Sequence, residues 1–181
     1  MLPEVLIISL QLKEATAEPD ILRIWAEKFA AARGLELPQG EIRYSDTGKP
    51  RFAKGAIEFS ISHSGEYWLC AFASEPVGLD LQYHKDCNRE GIARRFFHPR
   101  EYDYAAKNGV QGFFQVWTAK ESYVKFTGQG IAGGFRDFTT ISPTGSLGPC
   151  GNGFLQPLEF KANYSLCLCT PKQRSVQILW L

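Results

Sequence analysis

The switching of hydrophobic period along the chain is what most constrains its fold. Val5 to Leu10, Tyr67 to Ala73, Tyr164 to Cys169 and Val176 to Leu181 are short apolar runs of strand length. Between Asp20, the expected N-cap, and Gly34, the expected stop, Ile21, Ile24, Trp25 and Phe29 recur at helical spacing. Helical signals return from Arg89 and break at His98-Pro99, where Pro99 suits the first turn of a short helix that should end near Lys107, with Asn108-Gly109 as its stop. The strongest helical pattern follows, from Phe113 to Phe126, and Gly128 ends it. Each half of the chain therefore has a helix ahead of a sheet-forming run, and Tyr67-Trp68-Leu69-Cys70 is echoed by Tyr164-Ser165-Leu166-Cys167. On residues alone, the echo is either chance in a strand-rich chain or the trace of a duplicated α+β unit.

Glu41 to Tyr44 reads as a strand before the turn Asp46-Thr47-Gly48-Lys49-Pro50, and Glu58 to Ser62 and Val77 to Gln82 as further strands. Eight of the 17 glycines fall between Gly128 and Gly153, so that stretch reads as turns and hairpin loops. At about 150 residues per domain, 181 residues make one compact domain or two small packed halves. An apolar fraction of 44% supports a core and excludes disorder. The 20 Lys and Arg against 19 Asp and Glu leave a net charge of +1, with no global pull toward nucleic acid or anionic membrane, so an anionic partner has to meet a local basic patch. Five cysteines without CxxC spacing predict buried apolar thiols rather than a disulfide framework or zinc ribbon, with Cys167 and Cys169 on one strand face. No basic region precedes the apolar N-terminal stretch and no apolar run approaches about 18 residues, which predicts a cytoplasmic protein.

Three segments carry candidate chemistry. In Val77-Gly78-Leu79-Asp80-Leu81-Gln82, alternation puts Val77, Leu79 and Leu81 on one strand face and Gly78, Asp80 and Gln82 on the other. The aspartate is either a solvated strand residue or a site residue beside a glycine that lets another group approach the backbone. On the helix from Phe113, the core stripe is Phe113, Trp117 and Val124; Glu121 and Lys125 lie one turn apart on its shoulder and Lys120 at its opposite border. An ordinary helix contact accounts for Glu121 and Lys125, but a lysine bordering the buried stripe needs a compensating partner. In Phe59-Ser60-Ile61-Ser62-His63-Ser64-Gly65, Phe59 and Ile61 face inward and the hydroxyls outward. There is no GxSxG elbow, and adjacent Ser and His are poorly placed for a nucleophile pair. The segment is either a polar turn or a set of donors to phosphate oxygens.

Gly48-Lys49-Pro50, the Phe59 to Gly65 segment, Val77-Gly78-Leu79-Asp80, Arg95-Phe96-Phe97 with Glu101-Tyr102, and Trp117-Thr118-Ala119-Lys120-Glu121-Ser122 with Lys125 resemble, in order and spacing, the Sfp-type 4′-phosphopantetheinyl transferases. The match runs from about Glu41 to Gly130. The resemblance implies an α+β fold of two pseudo-symmetric halves, 1–76 and 77–181, forming one compact unit with the active site between them. It implies a Mg2+-dependent enzyme of the holo-[acyl-carrier-protein] synthase type, which moves the 4′-phosphopantetheine group of coenzyme A to a serine of an apo acyl or peptidyl carrier protein and releases adenosine 3′,5′-bisphosphate. In that reading Asp80 and Glu121 hold Mg2+ on the pyrophosphate and Lys120 and Lys125 neutralise phosphate charge. Ser62 and His63 hold the 3′-phosphate end, Lys49 lies near the nucleotide, and Glu101 supports the site from behind. Glu121, or a water on the metal, takes the proton from the carrier serine, and Asp80, Glu121 and Lys125 form the catalytic set.

Two features depart from the family pattern. Gln82 stands where an acidic residue is often found, on the strand face of Asp80, and would reach the metal by its amide oxygen or through a water. Only Lys13 precedes Asp20 among basic residues, where typical members carry a longer basic segment, so Arg23, Lys28 or Arg43 are the expected substitutes at the 3′-phosphate. A rival of another class, a catalytically degenerate module that binds coenzyme A and the carrier, predicts eroded metal and phosphate residues, whereas Asp80, Lys120, Glu121 and Lys125 are all present. A Mg2+-dependent phosphohydrolase would want a richer carboxylate cluster. Arg89, Arg94, Arg95, Arg100 and Lys107 are either a basic rim for an acidic carrier or a solvated helix face. The length fits two fused halves with a trimmed N-terminal segment, and such a duplicated chain is expected to be a monomer that binds neither nucleic acid nor membrane.

Overall fold

The computed structural model describes residues 2–12, 18–130 and 134–181; Lys13 lies outside them. β1 (Val5–Gln11) is an almost continuous apolar run because both of its faces are covered. Leu6, Ile8 and Leu10 pack on Leu22, Ala26 and Phe29 of α1 (Glu18–Ala31), while Val5 and Ile7 meet a second sheet. Double burial makes β5 (Tyr67–Ala73) and β8 (Tyr164–Thr170) continuous apolar runs for the same reason.

The first sheet has the order β4 (Glu58–Ser64), β5, β1, β9 (Val176–Trp180), and the second β6 (Gly78–Tyr83), β8, β7 (Phe154–Leu158). In each half an opening strand, β1 or β6, leads to a helix, α1 or α3 (Pro99–Thr127), then to an outer strand, β4 or β7. A closing strand, β5 or β8, then inserts antiparallel between the other two. This repeated topology makes the fold α+β with two pseudo-symmetric halves, and the Tyr-x-Leu-Cys echo falls on the two equivalent central strands. One strand breaks the symmetry: β9 runs parallel to β1, from Val5↔Val176 to Ser9↔Trp180, so residues beyond 76 complete the first sheet. Arg174, just ahead of β9, pairs with Glu4 and Glu75. The layers stack as α1, first sheet, second sheet, α3, with Ile7, Leu69 and Ala71 packed against Leu79, Leu81 and Leu168 between the sheets. A separate hairpin, β2 (Gln39–Tyr44) and β3 (Pro50–Lys54), lays Ile42 and Phe52 on the first core.

The helices differ in detail from the sequence expectation. α1 begins at Glu18, so Asp20 lies in the first turn and is not the N-cap. After α2 (Arg89–Phe96), His98 caps α3 reciprocally: its ring accepts from Arg100 N at 3.3 Å, and Glu101 accepts from His98 N at 2.8 Å. The two helices expected on either side of Asn108-Gly109 follow each other directly as α3: the backbone leaves the helical conformation at Gly109 (φ 62°, ψ −141°), at the expected stop, and the second helix resumes without a connecting loop. That backbone conformation needs a residue without Cβ. Beyond the stripe of Phe113 and Val124, α3 also buries Phe114, Val116, Ala119 and Phe126, because sheet, α2 and the 135–150 segment enclose it. Cys70, Cys150, Cys167 and Cys169 are buried free thiols, as expected, and Cys87 is half-buried. No helix among the described residues is long and apolar enough to cross a membrane.

A close approach of backbone to backbone sets the position of α3. Val77, Leu79 and Leu81 face the first sheet and Gly78, Asp80 and Gln82 face α3, the alternation read from the sequence. A Cβ on Gly78 would stand 1.9 Å from Ser122 O and 2.4 Å from Phe126 N, so helix backbone rests directly on strand backbone. Gly78→Ala should therefore push α3 off β6 and cost about 3 kcal/mol or more in denaturant unfolding; an unchanged midpoint would show that the helix can shift freely.

Candidate active site

β4 and β6 are the facing edges of the two sheets, and they are joined by side chains. The hydroxyls of Ser60, Ser62 and Ser64 accept from the backbone N–H groups of Leu79, Leu81 and Tyr83 at 2.9, 3.0 and 2.9 Å. Strand alternation does put these serines opposite Phe59 and Ile61, but Ser60 and Ser62 are buried against β6 rather than facing solvent. Lysines bond the carbonyls of the same seam. Lys125 Nζ donates to Ile61 O and Leu79 O at 3.3 and 3.1 Å, and Lys49 Nζ to Val77 O and Phe126 O at 3.3 and 3.0 Å. Burial holds the Lys49 ammonium below its usual pKa, with the Glu58 charge opposing.

Asp80 sits on this seam, 2% exposed. Its Oδ1 accepts from Lys125 Nζ at 2.7 Å and from Ser62 Oγ at 3.0 Å, and its Oδ2 from Gln82 Nε2 at 3.1 Å. Ser62 is thus committed to Leu81, Asp80 and Lys125. His63 is exposed on the face of β4 that carries Phe59 and Ile61. Above Asp80, Glu121 lines a cleft of about 380 Å3 whose walls come from both halves, Lys49, Pro50 and Ile61 on one side and Glu121, Val124 and Lys125 on the other. Thr47 donates to Gly128 O across its rim. Burial raises the Glu121 carboxyl to about 7, the Asp80 charge adds to this, and Lys125 works against it.

Lys120 is used differently from its expected part at phosphate. Its ammonium has no exposure and lies 3.0 and 2.8 Å from the two oxygens of Glu101 and 2.9 Å from Phe138 O, over the Phe138 ring. Glu101, equally buried, also accepts from Thr140 N and Thr140 Oγ1 at 2.7 and 2.9 Å. The lysine at the border of the apolar stripe is therefore compensated by Glu101, and the pair ties the first turn of α3 and the turn that holds Lys120 to the 138–140 segment. Desolvation pulls the Lys120 pKa down and Glu101 pulls it back up.

The basic residues of α2 and the start of α3 divide. Arg89 pairs with Asp86 and Arg94 with Glu90, whereas Arg95, Arg100 and Lys107 form no ion pair among the described residues. Arg89, Ala93, Tyr102 and Phe113 line a separate cavity of about 540 Å3 between α2 and α3. Of the expected substitutes at a nucleotide phosphate, Arg23 donates to Gly40 O at 2.6 Å, Lys28 lies 4.4 Å over the Trp25 ring, and Arg43 is exposed on β2. Thr140 escaped the sequence reading, and Ser60 and Ser64, read as outward-facing hydroxyls, accept from β6 instead. The alternating serines were visible as Ser-x-Ser-x-Ser, but nothing local shows that a second strand lies within reach.

The donor set fits a hard cation only in part. Asp80 and Glu121 are near enough to feel each other's charge, with Gln82 on the strand face of Asp80. No cluster of three acidic, His or Cys side chains suited to a metal occurs among the described residues. Two carboxylates suit an ion that takes its remaining ligands from substrate phosphates, as Mg2+ does, and not an all-protein cage.

Two expectations follow. Lys120→Met would strand the Glu101 charge and cost about 3–5 kcal/mol, measured by denaturant unfolding, with a Glu101→Leu/Lys120→Met double variant less damaged; an unperturbed single variant would contradict the buried pairing. Glu121 has a folded pKa of about 7 against an ordinary 4.5, so its ionisation opposes folding above pH 7 and costs nothing once both states are protonated. Glu121→Gln should raise the melting temperature over the native protein above pH 7 in metal-free buffer, the gain fading as pH falls toward 4.5.

A family model described as the 4′-phosphopantetheinyl transferase superfamily matches residues 76–169. The chain is 32% identical over 154 residues to the 4′-phosphopantetheinyl transferase Sfp of Bacillus subtilis strain 168, covering 76% of this chain and 67% of that one. It is 40% identical over 103 residues to the transferase gsp of Aneurinibacillus migulanus and 39% over 109 residues to HetI of Nostoc sp., covering 54% and 55% of this chain. Those alignments span 43% and 46% of the two relatives, less than half their length.

Proposed function

Because the chain belongs to the 4′-phosphopantetheinyl transferase superfamily, we propose that it transfers the 4′-phosphopantetheine group of coenzyme A to a serine of an acyl or peptidyl carrier protein, releasing adenosine 3′,5′-bisphosphate. One observation carries this most: Glu121 and Lys125 line a cleft with walls from both halves, and Lys125 bonds the buried Asp80 beside it. The chemistry is an in-line displacement, in which the serine oxygen bonds to the phosphorus bearing the pantetheine arm and the bridging oxygen to the nucleotide leaves. Catalysis then consists of positioning and charge neutralisation.

This chain's residues divide that task. Glu121, raised toward neutrality and open to the cleft, takes the proton of the serine. Lys125 holds Asp80 in one orientation, and Lys49 keeps one of its three N–H groups for a phosphate after bonding two carbonyls. His63, exposed near the end of β4, is the donor for the 3′-phosphate end, whereas Ser62 acts through Asp80 and Lys125. Lys120 with Glu101 positions α3 and does not touch phosphate. A Mg2+ ion held by Asp80 and Glu121 would supply further neutralisation of the diphosphate.

The finer assignment is to the holo-[acyl-carrier-protein] synthase type, acting as a cytoplasmic monomer, with Arg95, Arg100 and Lys107 as basic contacts for an acidic carrier. Incubation with coenzyme A, Mg2+ and several apo carrier proteins, followed by intact mass, should show addition of phosphopantetheine. Asp80→Ala and Glu121→Ala should each lose about a hundredfold or more in rate. Near-normal turnover in both would sink the site, and coenzyme A binding without transfer to any carrier would favour a binding module.

A further inference from the structure

Asp80 has little left to offer a metal. A carboxylate presents roughly four lone-pair directions. Lys125 at 2.7 Å and Ser62 at 3.0 Å take two of them on Oδ1, and Gln82 Nε2 at 3.1 Å takes one on Oδ2. Lys125 is itself firmly held, since Asp80 Oδ1, Leu79 O, Ser62 Oγ and Ile61 O surround its ammonium at 2.7, 3.1, 3.2 and 3.3 Å. Those acceptors outnumber its protons, so the lysine stays on the seam and its charge stays beside the carboxylate. Two carboxylates, Asp80 and Glu121, face two ammonium groups, Lys49 and Lys125, so the charges at the cleft formally cancel, and Gln82 adds none.

The affinity of an oxygen site for a hard divalent cation follows its count of charged ligands. Building on the transferase reading, we propose that this protein does not retain a divalent cation on its own. The cation enters with the diphosphate of coenzyme A, whose oxygens supply the missing anionic ligands, and Gln82 is the residue that makes metal binding depend on the nucleotide. A carboxylate at that position would add a negative charge and release Asp80 Oδ2 from its amide partner.

The test is a Mn2+ titration of the full chain, followed by water-proton relaxation enhancement, with and without coenzyme A. Coenzyme A binding is measured by calorimetry in metal-free samples of the same protein. Mn2+ should bind at least roughly tenfold more weakly without coenzyme A than with it, and Gln82→Glu should recover about tenfold in the absence of coenzyme A. Equal Mn2+ affinity in both conditions would overturn the proposal, as would a folded Gln82→Glu protein that binds coenzyme A but gains no Mn2+ affinity. Failure of coenzyme A to bind under any condition would remove the transferase reading as well. Coenzyme A binding and phosphopantetheine transfer, with Mn2+ held equally well alone, would remove only this inference.

Discussion

The seam between β4 and β6 is the contact on which the cleft depends. A strand at a sheet edge presents unpaired N–H and C=O groups that must be satisfied when buried. Here neither edge pairs with the other as a backbone ladder. Serine hydroxyls take the N–H groups of β6, and the ammonium groups of Lys49 and Lys125 take carbonyls of both strands. The sheets are thereby joined without merging into one, and the cleft opens along the join. Ser62 and Lys125 belong to the seam and to the site at once, since both also bond Asp80. Stability and site geometry are consequently coupled through the same few groups.

A second constraint fixes the wall that carries Glu121. The Lys120 and Glu101 charges are wholly buried, a costly arrangement unless nearly every proton and lone pair is used. Thr140, His98 N and Phe138 O complete it. Because Glu101 also belongs to the N-terminal cap of α3, the pair links the start of the helix to the turn that holds Lys120. Glu121 is the next residue, and the bend at Gly109 lies between the two partners. A kinked helix held across its kink by an ion pair presents its C-terminal half at one angle, with Gly78 allowing it to lie directly on β6.

Much of this was legible in the residues. The central strands showed as continuous apolar runs because both faces are covered, and β6 showed as an alternating one because one face meets the first sheet and the other carries Asp80. The echo between β5 and β8 marked equivalent positions in a duplicated topology. Other features were hidden. The break at Asn108-Gly109 was readable, but not that the second helix follows it directly with no connecting loop, which depends on the packing around both. Nor could the transfer of β9 to the first sheet be read, because local pattern does not say which neighbour a strand takes.

The sequence by itself determined the helices and every strand but β3 and β7, the face on which Asp80 lies, and the family to which its motifs belong. These follow from local period and from residue types at short spacing. Tertiary structure decided which polar groups are free and which are already spent. Lys120 and Lys125 read alike in sequence, yet one is enclosed with Glu101, 19 residues away, and the other bridges Asp80 and Ile61, 45 and 64 residues away. The state of a charged group is set by what desolvates and pairs it, and for these lysines the partners come from distant parts of the chain.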